Sequence, residues 1–567
     1  MHTFFLNPLF GFFRIFLFLL SWSYWAFPAA AATETPPRGF VWIRFFSDCS
    51  TCQASFLDLK ARIQNDESLS SKISVQSVDG EKEPQLGFAL IQSEFVTGGR
   101  SGDFVVTVAL PDGSPVWSAP FDSVETMLQQ IRDVVQKMSA KDGQMIEKHA
   151  SQNRDQWMQA ISPRDSVAHS RPNSQLIHRY FSDLAAQLGQ AKSEKKGVVV
   201  DPYLSSEHVL TLLSVFSASR NQHALIMAKD ILDAIHQSNE GSSLVWHFEF
   251  KAGDFRRTAT IDFEENARLA WSLVATSRLM VDQGEAAKFQ GQAKELLRAL
   301  ASAAAKSEAI ELSPVEVNRT LDYLFRLASF DQDSSKALIP FLQKLQRSFE
   351  GKNLVIGQSY IAALISEGIF TENYDKLVLA VKLEEELIGN LWDQKIGLFK
   401  EQPENHPILN TAIYSWAERY RGGGNSIALM NLSILRSLGF KESVGTVFSI
   451  LGENLAQISY KHSLMLPLSV HAALISNFGP IVRATDAVQP SHSLGVWPYV
   501  IDLKLPPKTA VESGERIPIL ENKPLRNSIS TVYVCRHQYC FAPNRSGLEI
   551  EREIVANPLV KVGRFTE

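Results

Sequence analysis

The sequence predicts a multidomain chain, a small α/β domain followed by a long helical one, and three observations carry that expectation. Cys49 and Cys52 sit where a strand-like run hands over to a helix-like run. From about residue 209 to 478 the apolar spacing is that of helix after helix. No fixed repeat period joins those helices, which disfavours a solenoid. With 45% hydrophobic and 21% charged residues in 567, the chain can bury a large core, which excludes disorder, a collagen-like repeat and a cysteine-stapled mini-scaffold. A net charge of −5 offers no basic face for a phosphate backbone, so nucleic acid is set aside as a partner.

The first residues stand apart from the fold. Between Phe4 and Phe27 the only charge is Arg14, after which an apolar run ends in Ala29 to Ala32 and polar Thr33-Glu34-Thr35 follows. This is the pattern of a secretory signal over residues 1–32, cleaved near Ala30–Ala32; an uncleaved membrane anchor is the rival. Cleavage removes one Arg and no acid, leaving a chain one unit more acidic than −5. The expected location is exported, periplasmic or extracellular.

Export permits two disulfides, Cys49–Cys52 and Cys535–Cys540. Residues 40–46 are β-branched and aromatic, and 53–60 have helical spacing. A helix N-terminus stabilises a thiolate, so Cys49 would attack and Cys52 resolve. The rivals are an inert staple and a zinc site made by all four cysteines; no metal and no cofactor are expected. Residues 104–110 read as a buried strand, Pro111-Asp112-Gly113 as a turn and 115–118 as its returning arm. Asp122 and Glu125 read as the cap of a helix with Val124, Met127, Leu128, Ile131 and Val135 on one face. That order is thioredoxin-like, over residues 33–140.

Residues 141–175 read as a polar connector with some helix, and 176–480 as hairpins of helices, for which a closed α/α toroid is preferred. A C-terminal segment, 481–567, holds the second cysteine pair. Two places on the helices carry polar groups that a plain bundle does not need. Glu265 and Asn266 lie in an acidic first turn, where compensation of the helix dipole is the plainer explanation. Glu418 precedes a glycine turn running into Gly424, Asn425 and Ser426. Glycines let a backbone approach a ligand and a helix start offers free N–H donors, which suits sugars or anions; an Asn or Ser cap is the plainer explanation.

Taken together these motifs resemble the family of thioredoxin-fold proteins fused to a six-hairpin α/α toroid, which includes the spermatogenesis-associated thioredoxin-domain proteins. Thr531-Val-Tyr533-Val534-Cys535-Arg-His-Gln-Tyr-Cys540-Phe-Ala542-Pro543 is similar to that family's tail, and Gly424-Asn425-Ser426 and Glu265-Asn266-Ala267 resemble two of its motifs, with Glu in place of Asp. The chain departs from the family at Cys49-Ser-Thr-Cys52-Gln53, where a flanking histidine is lost, and at Phe104, which stands where a thioredoxin fold has a cis-proline. The resemblance implies a six-hairpin glycosidase-like toroid that binds or processes a carbohydrate-type ligand. Glu265 and Glu418 would be its acid and base, with Asn266, Gly424, Asn425 and Ser426 touching the ligand; such a carboxylate pair works at roughly 5–10 Å. Two other functions remain open: thiol–disulfide exchange with a protein partner through Cys49 and Cys52, and a non-catalytic structural or partner-binding role.

Overall fold

The computed structural model describes residues 39–45, 50–79, 90, 97, 104–139, 143–161, 173–193, 205–238, 246–251, 254–306, 312–404, 412–414, 418, 423–440, 444–461, 466–485, 497–504, 517–520, 532–536 and 539–540. The stretch read as a secretory signal and Cys49 lie outside these residues. The chain divides into two compact units: Met1–Ile161 with His247–Ala259 and His406–Thr411, and Ser162–Trp246 with Thr260–Asn405 and Ala412–Glu567.

In unit 1, strand β1 (Gly39–Phe45) leads to helix α1 (Ser50–Asn65), a short α2 (Glu67–Ser70) and strand β2 (Ile73–Asp79). Strands β3 (Val105–Ala109) and β4 (Pro115–Pro120), then helices α3 (Val124–Met138) and α4 (Gly143–Ile161), complete it together with most of strands β5 (Trp246–Lys251) and β6 (Asp254–Ile261). The sheet order is β2-β1-β3-β4, with β1 parallel to β2 and antiparallel to β3, and β3 antiparallel to β4. The Pro-Asp-Gly turn forms between β3 and β4, with Gly113 at φ +82° and Asp112 accepting from the Ser114 N–H. Side chains alternate across β1, so Val41 and Ile43 meet Leu59, Met127 and Ile131 in the core while Trp42 and Arg44 are buried on the opposite face.

One expectation is corrected here. Helix α3 is capped by Ser123, whose Oγ accepts from the Thr126 N–H, and not by Asp122: the side chain one position later is the one that reaches the orphan donor. The stretch read as a connector with some helix holds α4, which packs on β4, places Ala150 in the core and donates from Asn153 to the Pro115 carbonyl at 3.2 Å.

Unit 2 is built from helices α5 (Asn173–Ser193), α6 (Ser205–Ser219), α7 (Gln222–Ser238), α8 (Phe263–Leu279), α9 (Gln283–Lys306), α10 (Pro314–Leu327), α11 (Gln332–Leu345), α12 (Leu354–Phe370), α13 (Asp375–Leu391), α14 (Gly424–Ser437), α15 (Gly445–Lys461) and α16 (Pro467–Phe478). A two-residue pair, β7 (Trp392–Asp393) and β8 (Leu398–Phe399), follows α13. Every second helix packs on the next in order, α6 on α8, α8 on α10, α10 on α12, α12 on α14 and α14 on α16, and α16 packs back on α6. Of the others, α7, α9, α11, α13 and α15 lie against their chain neighbours, as α7 does on α6 and α9 on α8, while α5 packs on α15 and α16.

Burial separates the two sets. Nearly every residue of α8, α10, α12 and α14 is buried, whereas α9 and α13 bury one stripe, such as Phe289, Leu296 and Leu300. A helix enclosed on all sides needs its polar groups satisfied internally. Thr320 donates to the Glu316 carbonyl and Ser433 to the Leu429 carbonyl, each one turn back. After α16 comes a sheet in the order β10-β9-β11-β12, formed by β9 (Ile481–Thr485), β10 (Val500–Lys504), β11 (Val532–Arg536) and β12 (Tyr539–Cys540). Cys535 faces Cys540 across β11 and β12 and is bonded to it.

Candidate functional site

The fully enclosed helices carry charge where a bundle core carries aliphatic side chains. Ser206 and Glu207 stand in the first turn of α6, and Glu264 and Glu265 in the first turn of α8; Arg268 is one turn further on, and Arg319, Asp322, Tyr323 and Arg326 run along α10. Arg268 donates to Ser206 at 2.6 Å, to Glu207 at 3.1 Å and to Glu264 at 3.3 Å, and it pairs closely with Glu265. Arg319 donates to Glu264 at 3.3 Å, to Glu207 at 3.0 Å and to the Tyr323 hydroxyl at 2.9 Å. That hydroxyl in turn donates to Glu207 at 3.1 Å. Isolated charges would be costly at this depth; mutual pairing and hydrogen bonding offset the lost solvation.

The two carboxyls expected to form an acid and base pair are both present in unit 2 and both engaged. Glu265 receives the Ser206 hydroxyl at 2.8 Å in addition to Arg268. Burial pushes its carboxyl up to about 7 against the pull of Arg268. Glu418 accepts from the Leu468 N–H at 2.7 Å, from the Ser469 N–H and hydroxyl at 2.5 and 2.6 Å, and from the Ser426 hydroxyl at 2.8 Å. The N-cap residue of α16, Leu466, has no side chain able to cap, so Glu418 supplies that cap from elsewhere in the chain. Burial pushes Glu418 up to about 7 as well, against those four donors. Glu207 moves the other way: burial raises it, but Arg268 and Arg319 outweigh burial and hold it below the usual carboxylate value.

The residues expected around a ligand have protein partners too. Asn425 accepts from the Phe399 N–H at 2.8 Å and donates to the Phe399 carbonyl at 3.0 Å, pinning β8 to the start of α14. Ser426 bonds Glu418 and Ser469, and Asn266 donates to the Asp262 carbonyl. Neither Asn425 nor Ser426 caps its own helix, whose N-cap is Gly423; Gly424 is buried.

Sequence reasoning missed a second cluster, at the far end of α10. Asp322 accepts both Arg326 Nη2 contacts at 2.6 Å, Arg326 Nε at 3.1 Å and the Ser366 hydroxyl. Trp497, from the stretch between β9 and β10, stacks edge-on against Phe370 with centroids 5.3 Å apart and lies under the Arg326 guanidinium at 5.6 Å. Arg319, Asp322, Arg326, Ser366, Asn431 and Trp497 line one pocket, closed on its other side by aliphatic residues such as Ile365 and Ile434. It holds about 20 Å³ of room for a water-sized body, within about 300 Å³ of unfilled space that includes its open mouth. The sequence does contain a signal for it: Arg319, Asp322 and Arg326 are spaced three and four residues apart on one helix face whose neighbours are Leu321, Leu324 and Leu327.

A third polar pair joins Ser214 of α6 to His471 of α16, Oγ to Nε2 at 2.7 Å. Burial pushes His471 down to about 4, so its ring is neutral, and among the described residues its Nδ1 has no hydrogen-bond partner. A serine nucleophile needs its histidine oriented from that second nitrogen, so the pair lacks the third member of a hydrolase triad.

In unit 1, Cys52 lies in the first turn of α1, 8% exposed and disulfide-bonded. Phe104, just before β3, stacks on Phe121 with centroids 4.3 Å apart. In unit 2 the Cys535–Cys540 bond leaves neither sulfur as a thiolate ligand, and the described residues hold no group of three or more His, Cys, Asp or Glu arranged for a metal ion. No helix among them is long and apolar enough to cross a membrane. Comparison of the sequence with protein-family models and with curated proteins finds no match to either, so the functional reading rests on the pocket and the charges behind it.

Proposed function

We propose that this is an exported protein in which a thioredoxin-like domain precedes an α/α toroid of the six-hairpin, glycosidase-like kind, and that the toroid binds a carbohydrate-type ligand without hydrolysing it. For the toroid, the supporting fact is the return of α16 onto α6 after five successive contacts between alternate helices. For the thioredoxin-like domain it is the sheet order β2-β1-β3-β4 with β3 antiparallel to β1, and Cys52 in the helix that follows β1.

The observation that carries the ligand reading is the pocket wall, which combines an indole, two guanidiniums, a carboxylate, a hydroxyl and an amide. Polyhydroxylated ligands are held by such a mixture of an apolar ring face and convergent polar groups. Binding is favoured over hydrolysis because both oxygens of Glu265 and of Glu418 already accept from protein donors. Neither has a free oxygen to protonate a leaving group or to activate a water.

The test is a calorimetric titration of the mature protein with neutral and acidic monosaccharides, alongside a reducing-sugar assay on oligosaccharides. Binding that is lost in Trp497→Ala, with no release of sugar, is expected. Sugar release by the wild type that disappears in both Glu265→Gln and Glu418→Gln would restore the acid and base pair and overturn the reading.

A second reading, thiol–disulfide exchange, is favoured by one observation: a disulfide-bonded cysteine in the first turn of α1 directly after the central strand. There the helix N-terminus favours the thiolate of the reduced form. A disulfide that exchanges in redox buffers between about −120 and −270 mV is expected of such a centre; one that stays oxidised below about −300 mV is a staple.

A further inference from the structure

We infer that the pocket beneath Trp497 takes an anionic oxygen group, a carboxylate above all, and that the carbohydrate-type ligand is therefore an acidic sugar; this rests on the binding reading proposed above. The inference comes from counting which hydrogen-bonding atoms in the pocket wall are already used. Arg326 spends Nε and Nη2 on Asp322, with Nε also 3.4 Å from the Ser366 hydroxyl. Among the described residues its Nη1 donates to nothing. Arg319 spends Nε and Nη2 on Glu264, Glu207 and Tyr323. Its Nη1 stands 3.6 Å from Asp322, an ion pair too long for a hydrogen bond. Trp497 is 5% exposed, and among the described residues its indole N–H has no partner.

Acceptors in the same wall are scarce. Asp322 already receives Arg326 and Ser366. Asn431 gives its amide N–H groups to the Gln358 carbonyl at 2.9 Å and the Gln358 side chain at 2.8 Å, leaving only its own oxygen. The residues that line the pocket thus bring two guanidiniums and an indole N–H, with one amide oxygen left to accept. The lining side chains include two arginines and one carboxylate, with Arg319 also paired to Glu207 and Glu264. Glu207 and Glu264 are held on the other side of Arg319 and do not line the pocket.

A water molecule must place two hydrogens as well as accept, and this wall offers few places for them; a carboxylate only accepts. Size points the same way. About 20 Å³ of room for a water-sized body, behind an open mouth, suits one small charged group, so the ring would stay at the mouth. Charge-assisted bonds from arginine to a carboxylate are about twice as strong as neutral ones, which gives the pocket its preference.

The experiment is isothermal titration of the full mature chain with glucuronate, glucose and acetate, at low and high salt, repeated on Trp497→Phe and Arg326→Gln. Glucuronate binding at least tenfold tighter than glucose and than acetate, weakened by salt, is the expected result. Trp497→Phe keeps an aromatic face but removes the pyrrole ring and its donor, so it should weaken glucuronate by about three- to tenfold beyond any weakening of glucose, the sugar that shares the lost packing but not the charge; Arg326→Gln, which also loosens Asp322, should weaken it further. Equal binding of glucose and glucuronate overturns the anionic site and leaves the sugar reading standing. Acetate binding as tightly as glucuronate supports the anionic site and overturns the sugar reading. No binding by any of the three overturns both.

Discussion

The two units solve the problem of an interior in opposite ways. In unit 1 a four-stranded sheet and the helices against it meet through aliphatic and aromatic side chains such as Val41, Leu59, Val108 and Ile131, and burial of apolar area supplies the stability. In unit 2 the most enclosed helices bring Glu207, Glu264, Glu265, Arg268, Arg319 and Asp322 together away from solvent. Well-packed apolar residues of similar volume are often at least as stable as a buried ion network. The comparison teaches that the charges of unit 2 need a reason other than stability, and a site for a polar ligand is such a reason.

The largest effect that separates the two interiors should come from Arg268→Met. It leaves three buried carboxylates short of a partner and should destabilise unit 2 by about 3–5 kcal/mol, read as lost hydrogen-exchange protection in α6, α8 and α10 with β1 and β3 unchanged. Equal protection in variant and wild type would mean that the network is not what holds these helices. In unit 1, Ile131→Ala should cost about 2–4 kcal/mol through a cavity with no charge left stranded. Its effect should be the same at pH 5 and pH 8, whereas that of Arg268→Met should vary with pH.

The pH dependence sharpens the contrast further. Glu384 is fully buried, accepts one hydrogen bond from Gln358 at 2.9 Å and, among the described residues, has an oxygen with no partner. Burial pushes its carboxyl from 4.5 up to about 8. Between those values the folded chain keeps a proton that the unfolded chain has released, so stability is present at low pH and lost as pH rises through about 8. Glu265 and Glu418 act in the same direction up to about 7. Glu207, lowered by its arginines, acts in the opposite direction, and its contribution is lost as pH falls below the usual carboxylate range. Exchange protection of α12 and α13 should therefore fall from pH 6 to pH 9, and Glu384→Gln should recover about 2–4 kcal/mol of it at pH 9. A flat profile in the wild type would remove buried carboxyls from the account. The smallest effect should be Ser123→Ala, which deletes the cap of α3 for about 1 kcal/mol in unit 1 alone, measured by urea denaturation.

Local signals in the sequence were legible where a short stretch determines its own structure. The hairpin at Pro111-Asp112-Gly113, the buried face of α3 and the alternation of helices all follow from neighbours within a few residues. The candidate site follows from partners far apart. Glu207 meets Arg319 across 112 positions and Tyr323 across 116, and Trp497 comes to Arg326 from beyond α16. A glutamate before a glycine turn looks the same in sequence whether it faces a ligand or, as Glu418 does, two backbone N–H groups of a helix that begins fifty residues later. Only the Arg319, Asp322 and Arg326 spacing was open to a reader of one helix, as charge on a face that should have been apolar.

The contact of α16 with α6 has a consequence for how the chain is made. Thr211 bonds the Pro467 carbonyl and Ser214 bonds His471, partners 256 and 257 residues apart. At roughly 5–20 residues per second, α6 leaves the ribosome on the order of 13–50 s before its last neighbour. Throughout that interval its Glu207 and its apolar face have only early neighbours to lean on. A nascent chain halted before α16 should therefore be captured by a holdase chaperone, and one extended past it should be released.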